Sequence, residues 1–463
     1  MNLFETFNQQ KKDFLLNEIP SYEIRKSQLE TLLKVIKANS KNLAEAVNQD
    51  FGHRSFDETE LLEIIPTLQT IKYYLKHLKK WMRPRRAKVS FWFKPGVAKI
   101  YPQPLGVIGI VVPWNYPIQL SLGPLVAALS AGNRVMIKMS ELTPNTGKLI
   151  RDLLAEVFSE ERLVVINGDV EIAKEFVLLP FDHLLFTGST EVGKKVMMSA
   201  SNHLTSVTLE LGGKSPVIIV PDSSIRSAVR SIMTGKLFNA GQTCVAPDYV
   251  FLPDGSESLF IEEAKNFVEK HYHNITQNDD YSSIINQKHF DRLENLLKEA
   301  ESNGAKIIRL ENNFNNAENK KIVPCIILNC NDEMKIMQEE IFGPYLPLIP
   351  YQEIKEVVDQ INRRPYPLAL YLFDERLRYA DFVLKNTISG GVTVNETLLH
   401  VAQESLPFGG VGESGIGQYH GKAGFDTFSH LKSIFFQSRL NGFALMRPPF
   451  GKFVRLIMQL MRL

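Results

Sequence analysis

Cys244 lies in the run Phe238-Asn239-Ala240-Gly241-Gln242-Thr243-Cys244-Val245-Ala246-Pro247, a turn of small residues between a helical run and the strand-like Tyr249-Val250-Phe251-Leu252. A thiolate is the strongest side-chain nucleophile near neutral pH, and a thiol at such a junction is reachable from a cleft. A lone cysteine is otherwise a small buried hydrophobe, so its company elsewhere in the chain decides. Pro113-Trp114-Asn115-Tyr116-Pro117 follows an apolar strand-like run and places an amide where it can donate to a developing oxyanion; the bland reading is a turn asparagine. Phe186-Thr187-Gly188-Ser189-Thr190-Glu191-Val192-Gly193 reads as strand, glycine turn and helix start, whose free N–H groups suit a pyrophosphate. Leu209-Glu210-Leu211-Gly212-Gly213-Lys214-Ser215-Pro216 sets a carboxylate in an apolar run. Partial desolvation there raises its pKa and suits a general base. Glu339-Glu340-Ile341-Phe342-Gly343-Pro344 adds an acidic pair, which alone reads as a solvated helix end.

The elements that position these groups follow from pattern. Residues 1–82 read as mixed-charge helices, among them 27–46 and 58–81, broken by Arg83-Pro84-Arg85-Arg86; a strand pair is expected near 89–93 and 98–103. From 105 onward, apolar runs at 105–112, 134–138, 163–166, 183–187 and 216–220 alternate with amphipathic runs at 118–131, 144–158 and 190–202. Thr143-Pro144 offers a hydroxyl N-cap and a proline at the first helical position. This alternation predicts an α/β fold with a parallel sheet and helices on both faces. A second α/β stretch begins near 222, with helices over 223–239, 256–270 and 287–302 and strands over 305–310, 322–328 and 367–373; residues 311–319 read as a solvated loop.

Composition narrows the class. The chain has 463 residues, 53 Lys and Arg against 51 Asp and Glu, and a formal charge of +2, so nothing calls for nucleic acid. Cys244, Cys325 and Cys330 have no metal-like spacing beside histidine, which points to a reduced, cytoplasmic setting and no metal. Cys325 and Cys330 flank a strand-like run and read as packing, His183 reads as structural, and His400 receives no role. No signal-peptide h-region opens the sequence, and no run reaches the ~20 apolar residues that span a bilayer.

Taken in order, Pro-Trp-Asn, Lys-x-Ser-Glu, Phe-Thr-Gly-Ser, Glu-Leu-Gly-Gly-Lys-Ser, Gly-Gln-Thr-Cys, Glu-Glu-Ile-Phe-Gly-Pro and Pro-Phe-Gly-Gly resemble the aldehyde dehydrogenases over nearly the whole chain. Gly-Gln-Thr-Cys-Val-Ala-Pro-Asp-Tyr and the short N-terminus look like the class 3 or fatty-aldehyde branch. The resemblance implies Cys244 as nucleophile, Asn115 with the Cys244 N–H as oxyanion hole, and Glu210 as the base that activates water for hydrolysis to a free acid. Coenzyme-A-acylating relatives generally lack that glutamate. It also implies NAD as cofactor, with NADP possible: Lys138 and Glu141 at the adenosine ribose, Gly188, Ser189 and Val192 at the pyrophosphate and adenine, Glu340 and Phe342 at the nicotinamide ribose, and Trp114 in the cofactor-binding set. Lys138-Met139-Ser140-Glu141 departs from the family's Lys-Pro-Ser-Glu and loses a fixed φ.

The expected organisation is a Rossmann-type cofactor domain (1–82 and 101–208), a catalytic domain (209–388), an oligomerisation arm (83–100 and 412–440) and an amphipathic tail (441–463). An exposed arm edge predicts a homodimer or homotetramer. In the tail, apolar residues 453, 456, 457, 460 and 461 recur at helical spacing beside Arg455 and Arg462. Such a segment packs on protein, guards a substrate mouth, or makes peripheral contact with an anionic membrane face. The expected substrate is a long-chain or bulky apolar aldehyde. The alternative is a cofactor-independent cysteine esterase or hydrolase, and a third class is a membrane-associated scaffold on a spent enzyme fold.

Overall fold

The computed structural model describes residues 2–462; Met1 and Leu463 lie outside it. Three sheets organise the chain. The first has the order Gly415–Ile416, Ser206–Glu210, His183–Thr187, Val107–Val111, Arg134–Lys138, Leu163–Ile166. Its five longer strands run parallel, and Gly415–Ile416 closes one edge antiparallel to Ser206–Glu210. The chain winds outward from Val107–Val111 in both directions, so a topological switch point lies between that strand and His183–Thr187. In such sheets ligands bind outside the carboxyl ends of the strands at the switch.

Burial explains why these runs are strands: every residue of Arg134–Lys138, Leu163–Ile166 and His183–Thr187 is buried, as a sheet covered on both faces requires. Among the helices, Gln119–Ala131 is apolar nearly all round and buried from Ser121 to Ala131. It passes between the sheet and the helices Ile65–Trp81 and Gly421–Thr427.

The second sheet has the order Lys306–Arg309, Cys325–Leu328, Tyr345–Tyr351, Tyr249–Pro253, Pro216–Ile219, Ala369–Phe373, Gly391–Val394, parallel except at Lys306–Arg309. The third is a three-stranded antiparallel sheet of Arg85–Ala87, Val97–Pro104 and Ser429–Phe436. Its central strand runs to Pro104, past residue 100.

Several local expectations are corrected. The strand expected near 89–93 is a 3-10 turn, Phe91–Phe93, at the tip between Arg85–Ala87 and Val97–Pro104. The pairing of Ala87 with Ala98 closes the ladder before that run, so its backbone has no partner strand. The helix expected over 27–46 breaks at Asn39, whose side chain turns back to the Val35 carbonyl. The helix expected over 58–81 contains a π turn, Glu60–Ile64. Thr143 precedes its helix, but its hydroxyl caps nothing. The carboxylate of Asp50 instead accepts from the N–H groups of Asn145 and Thr146, each at 2.9 Å.

Candidate active site

The Cys244 turn is built by backbone that most residues avoid. Asn239 and Ala240 hold φ of 53° and 51°, and Gly241 holds 78°. A Cβ on Gly241 would lie 2.3 Å from the Gly343 carbonyl oxygen, so this glycine lets the nucleophile turn press against the turn after Phe342. Gln242 braces the turn from within. Its amide donates to the carbonyls of Asn239 and Ser283, and its oxygen accepts the Ile285 N–H, all at 3.0 Å. Tyr116 and Thr243 share a hydroxyl hydrogen bond of 2.6 Å. Asn115 is buried and donates one amide proton to the Gln242 carbonyl at 3.1 Å. The expected oxyanion donor thus sits beside the nucleophile turn.

The Cys244 thiol is half-buried, and burial pushes its pKa up to about 12, with the carboxyls of Glu340 and Glu210 acting in the same direction. The backbone N–H groups of Cys244 and Val245 oppose the shift. Glu210 ends its strand, opposite Thr187 in register, with its carbonyl accepting the Gly188 N–H at 3.0 Å. Among the described residues neither oxygen of its buried carboxyl has a hydrogen-bond partner, and burial raises its pKa well above the ordinary range. Glu340 is pushed up to about 8, by burial first and then by Asp248. It is no solvated helix end: the short helix Lys335–Gln338 stops before it. The carboxyl accepts from Gly213 and passes so close to Gly212 that a Cβ there would lie 2.0 Å from Oε2. Lys214 ties this loop down, donating to Asp248 and to the carbonyls of Ile336 and Glu339 at 2.7–2.9 Å.

Sequence reasoning missed the support beneath this site. Arg54, fully buried, reaches Glu63 at 2.9 Å and Glu58 at 3.4 Å, and donates to the Asn115 carbonyl at 3.1 Å. Glu63 accepts the N–H groups of Ile118 and Gln119, at 2.7 and 3.2 Å. Glu58 accepts the Asn239 N–H at 3.0 Å and the Ser282 hydroxyl at 2.8 Å. One buried ion cluster therefore grips both the Asn115 turn and the Cys244 turn. The π turn Glu60–Ile64 carries Glu63 into it. The acidic residues were visible in the sequence, but nothing marked them as buried.

At the other end of the sheet edge, Lys138 closes its strand buried, donating to the carbonyls of Met139 and Gly168 at 2.7 and 2.8 Å. Desolvation lowers its pKa, against Glu141 and Asp169. Glu141 is exposed nearby. Met139, where the family pattern has proline, donates its N–H to the Ile166 carbonyl at 3.0 Å, a bond that proline would remove. Ser189 precedes the helix Thr190–Ser201 without capping it, so N–H groups of the first turn stay available, and Val192 is exposed on that turn. A Cβ on Gly188 would strike the Phe186 ring, so this turn presents bare backbone. A cleft of about 450 Å³ runs from Thr190 past Gly212 and Gly213 to Glu340 and Tyr366. Trp114 packs against Phe342 edge-to-face, with ring centroids 5.5 Å apart, and against His289 at 5.1 Å. Phe342 holds a φ of 49°. An uncapped helix start, a glycine turn, and a buried cation beside an exposed carboxylate, at the carboxyl ends of the switch-point strands, fit a dinucleotide.

These residues form two groups. Cys244, Glu210, Glu340 and Asn115 converge, with Trp114 and Phe342 adjoining; Lys138, Glu141, Gly188, Ser189 and Val192 line the neighbouring strand ends. His183 bonds the hydroxyls of Ser206 and Thr208 at 2.8 and 3.0 Å, a packing role. Cys325 is a buried strand residue, and Cys330 is half-buried beyond it. His400 bonds the Thr393 hydroxyl at 2.8 Å. Among the described residues one group could hold a metal, Glu269, His273 and Glu311, on the surface away from these residues.

A model of the "Aldehyde dehydrogenase family" matches residues 15–434. The chain is 47% identical over 449 residues to a "Probable coniferyl aldehyde dehydrogenase" of Pseudomonas aeruginosa, covering 97% of this chain and 94% of that one. It is 40% identical over 456 residues to the 4,4'-diaponeurosporen-aldehyde dehydrogenase of Staphylococcus aureus, covering 98% of each. Among solved structures, the substrate-bound state of Staphylococcus aureus AldH superposes with a TM-score of 0.94 at 39% identity, covering 99% of this chain and 100% of that one. The chain therefore belongs to the aldehyde dehydrogenase family, oxidoreductases that convert aldehydes to carboxylic acids.

Proposed function

We propose that this protein oxidises a long-chain or bulky apolar aldehyde to its acid with NAD or NADP. The observation that carries the reading is the convergence of Cys244, Glu210 and Asn115 at the carboxyl edge of the switch-point sheet. The Cys244 thiol gives up its proton to solvent; the thiolate sulfur attacks the aldehyde carbon and forms a C–S bond as the C=O π pair moves onto oxygen, leaving an oxyanion that faces the Asn115 amide and the Cys244 N–H. Bound NAD(P) supplies the acceptor for the hydride that leaves this carbon. The product is a thioester on Cys244. Glu210 then takes a proton from water, the resulting hydroxide attacks the acyl carbon, and the acid departs as the thiol reforms. Burial makes Glu210 a stronger base than an exposed carboxylate, which suits this step near neutral pH.

Lys138 and Glu141 hold the adenosine ribose in this reading. Glu141 repels a 2′-phosphate, and Lys138 is the group that tolerates it. The turn at Gly188, Ser189 and Val192 holds the pyrophosphate, and Glu340, Phe342 and Trp114 frame the nicotinamide ribose. The substrate class is supported by relatives named for coniferyl aldehyde and 4,4'-diaponeurosporen-aldehyde. We assign residues 1–82 and 101–208 to cofactor binding, 209–388 to catalysis, and the three-stranded sheet to an arm that pairs with a second copy. The tail from 441 either guards the substrate mouth or makes peripheral contact with lipid.

The test is absorbance of reduced nicotinamide with NAD or NADP and aldehydes from acetaldehyde to long-chain and aromatic ones, beside Cys244→Ala. Reduction that is lost in the variant is the expected result. No reduction with any aldehyde, while the wild-type thiol still cleaves an activated ester, favours the hydrolase.

A further inference from the structure

Charge is segregated in this chain to a degree that its composition hides. The whole sequence is nearly balanced, with 53 Lys and Arg against 51 Asp and Glu. Yet residues 83–104 and 429–463, which form the three-stranded sheet and everything after it, hold twelve Lys and Arg and no Asp or Glu. The fold joins them: Ser429–Phe436 pairs with Val97–Pro104 over eight residues. Arg85 is the one of these cations with an ion-pair partner among the described residues, Asp426, on the adjoining helix Gly421–Thr427. The others face solvent or aromatic rings, Lys99 lying 5.3 Å from the centre of the Phe436 ring.

The same surface is aromatic. Phe91 is 76% exposed at the turn, and Trp92 and Phe93 are exposed beside it. Phe93 meets Phe435 and Phe443, with ring centroids 6.5 Å apart in each case, so the turn and the C-terminal segment form one patch. That segment ends in the helix Lys452–Leu460, whose single buried residue is Val454. Solvent-facing aromatic and leucine side chains set among uncompensated cations match a lipid interface: rings enter the headgroup layer while Lys and Arg meet anionic phosphates. A nucleic acid would need the cations but gives no use for the exposed leucines of the tail.

We propose that the tip of the arm, around Phe91-Trp92-Phe93, together with the C-terminal segment forms a docking surface for an anionic phospholipid bilayer. The arm tip, rather than the tail alone, makes the contact. It rests on the lipid contact proposed for the tail and extends that contact to the arm tip, and it stands apart from the active-site reading, because lipid binding is measured without turnover.

The probe is the full chain mixed with vesicles of phosphatidylcholine alone or with phosphatidylglycerol, followed by co-sedimentation and tryptophan emission. Of the three tryptophans, Trp81 is buried and Trp114 sits in the active site, so Trp92 reports the surface. Expected are sedimentation with the anionic vesicles only and a blue shift that Trp92→Phe removes. Reversing three exposed cations, Arg86→Glu, Lys88→Glu and Lys94→Glu together, weakens binding by about a hundredfold or more while dehydrogenase activity persists. No binding to anionic vesicles at low salt, or equal binding to both vesicle types, overturns the proposal. So does a chain that ignores vesicles but whose oligomer dissociates on Trp92→Ser, which would make this face an interface between copies.

Discussion

At the scale of single residues, burial shifts both reactive groups toward their protonated forms. The thiol of Cys244 is pushed up to about 12 and the carboxyl of Glu210 well above its ordinary range, both chiefly by burial. Without cofactor, the rate of Cys244 alkylation by iodoacetamide therefore climbs about tenfold per pH unit from neutrality to about pH 10. A plateau near pH 8 would contradict this. Asn115→Ala removes a side-chain donor and lowers kcat by about 100- to 1,000-fold with little change in KM. Glu210 carries a stability cost with a definite sign. Its folded pKa is raised above the ordinary 4.5, so whatever its neutral form contributes is present below that value and lost as pH rises toward the folded pKa. Glu210→Gln should thus melt higher than wild type at about pH 8, by about 1–3 kcal/mol for a buried unpartnered group, with a gap that narrows on acidification. The same variant should release one burst of reduced nicotinamide and then stall at the thioester. A lower melting temperature across the whole range would overturn the unpaired-carboxyl account.

At the scale of elements, the nucleophile turn and the Asn115 turn belong to different sheets, and Arg54 holds them in register. Breaking a buried ion cluster by removing its cation typically costs ~3–5 kcal/mol, because Glu58 and Glu63 would then lie buried and unpaired. Arg54→Met is expected to lose about that much in denaturant unfolding. In the folded fraction kcat should fall more than KM changes, since Asn115 and Cys244 drift apart. Arg54→Lys should recover part of the stability but less of kcat, because an ammonium cannot reach Glu58, Glu63 and the Asn115 carbonyl with one fork. Gly241→Ala tests the neighbouring contact. Its Cβ has 2.3 Å to the Gly343 carbonyl and a φ of +78° to tolerate, so the turn must move and activity should collapse. Near-normal kcat for that variant would show that the Cys244 turn does not depend on this close approach.

At the scale of the whole molecule, the arm is where we propose that the chain meets other bodies. Ser429–Phe436 is paired on one side only, and an open strand edge of eight residues is a liability unless something covers it. We expect at least a dimer in sedimentation equilibrium, and a monomeric mass in dilute solution would contradict the assignment of the arm. Deleting residues 450–463 should shift the preference between short and long aldehydes if the tail guards the substrate mouth. Unchanged chain-length preference would end that role. No helix among the described residues is long and apolar enough to cross a membrane.

Much of this was legible from residue order because the signals are local. The strands Arg134–Lys138, Leu163–Ile166 and His183–Thr187 and the helix Gln287–Ser302 fall where apolar period and flanking turns place them. The motifs around Cys244, Glu210 and Glu340 were readable because close backbone approach demands glycine, and glycine is visible in a sequence; the Asn115 turn is marked instead by its flanking prolines. Other features depend on partners far along the chain. Residues 89–93 look like a strand until the pairing of Ala87 with Ala98 leaves them at a tip. Thr143 looks like a cap until Asp50, 95 residues from Asn145, takes the work. The strands Tyr345–Tyr351 and Gly391–Val394 carry weak patterns and are fixed by neighbours on both sides or at the sheet edge. The sequence by itself determined the chemistry on offer and the family, since a nucleophile, its donors and its glycines are properties of residue type and order. Only the tertiary structure decided which charges are buried together under the site and which are gathered, unpaired, on one face, because burial and juxtaposition are properties of distance rather than of order.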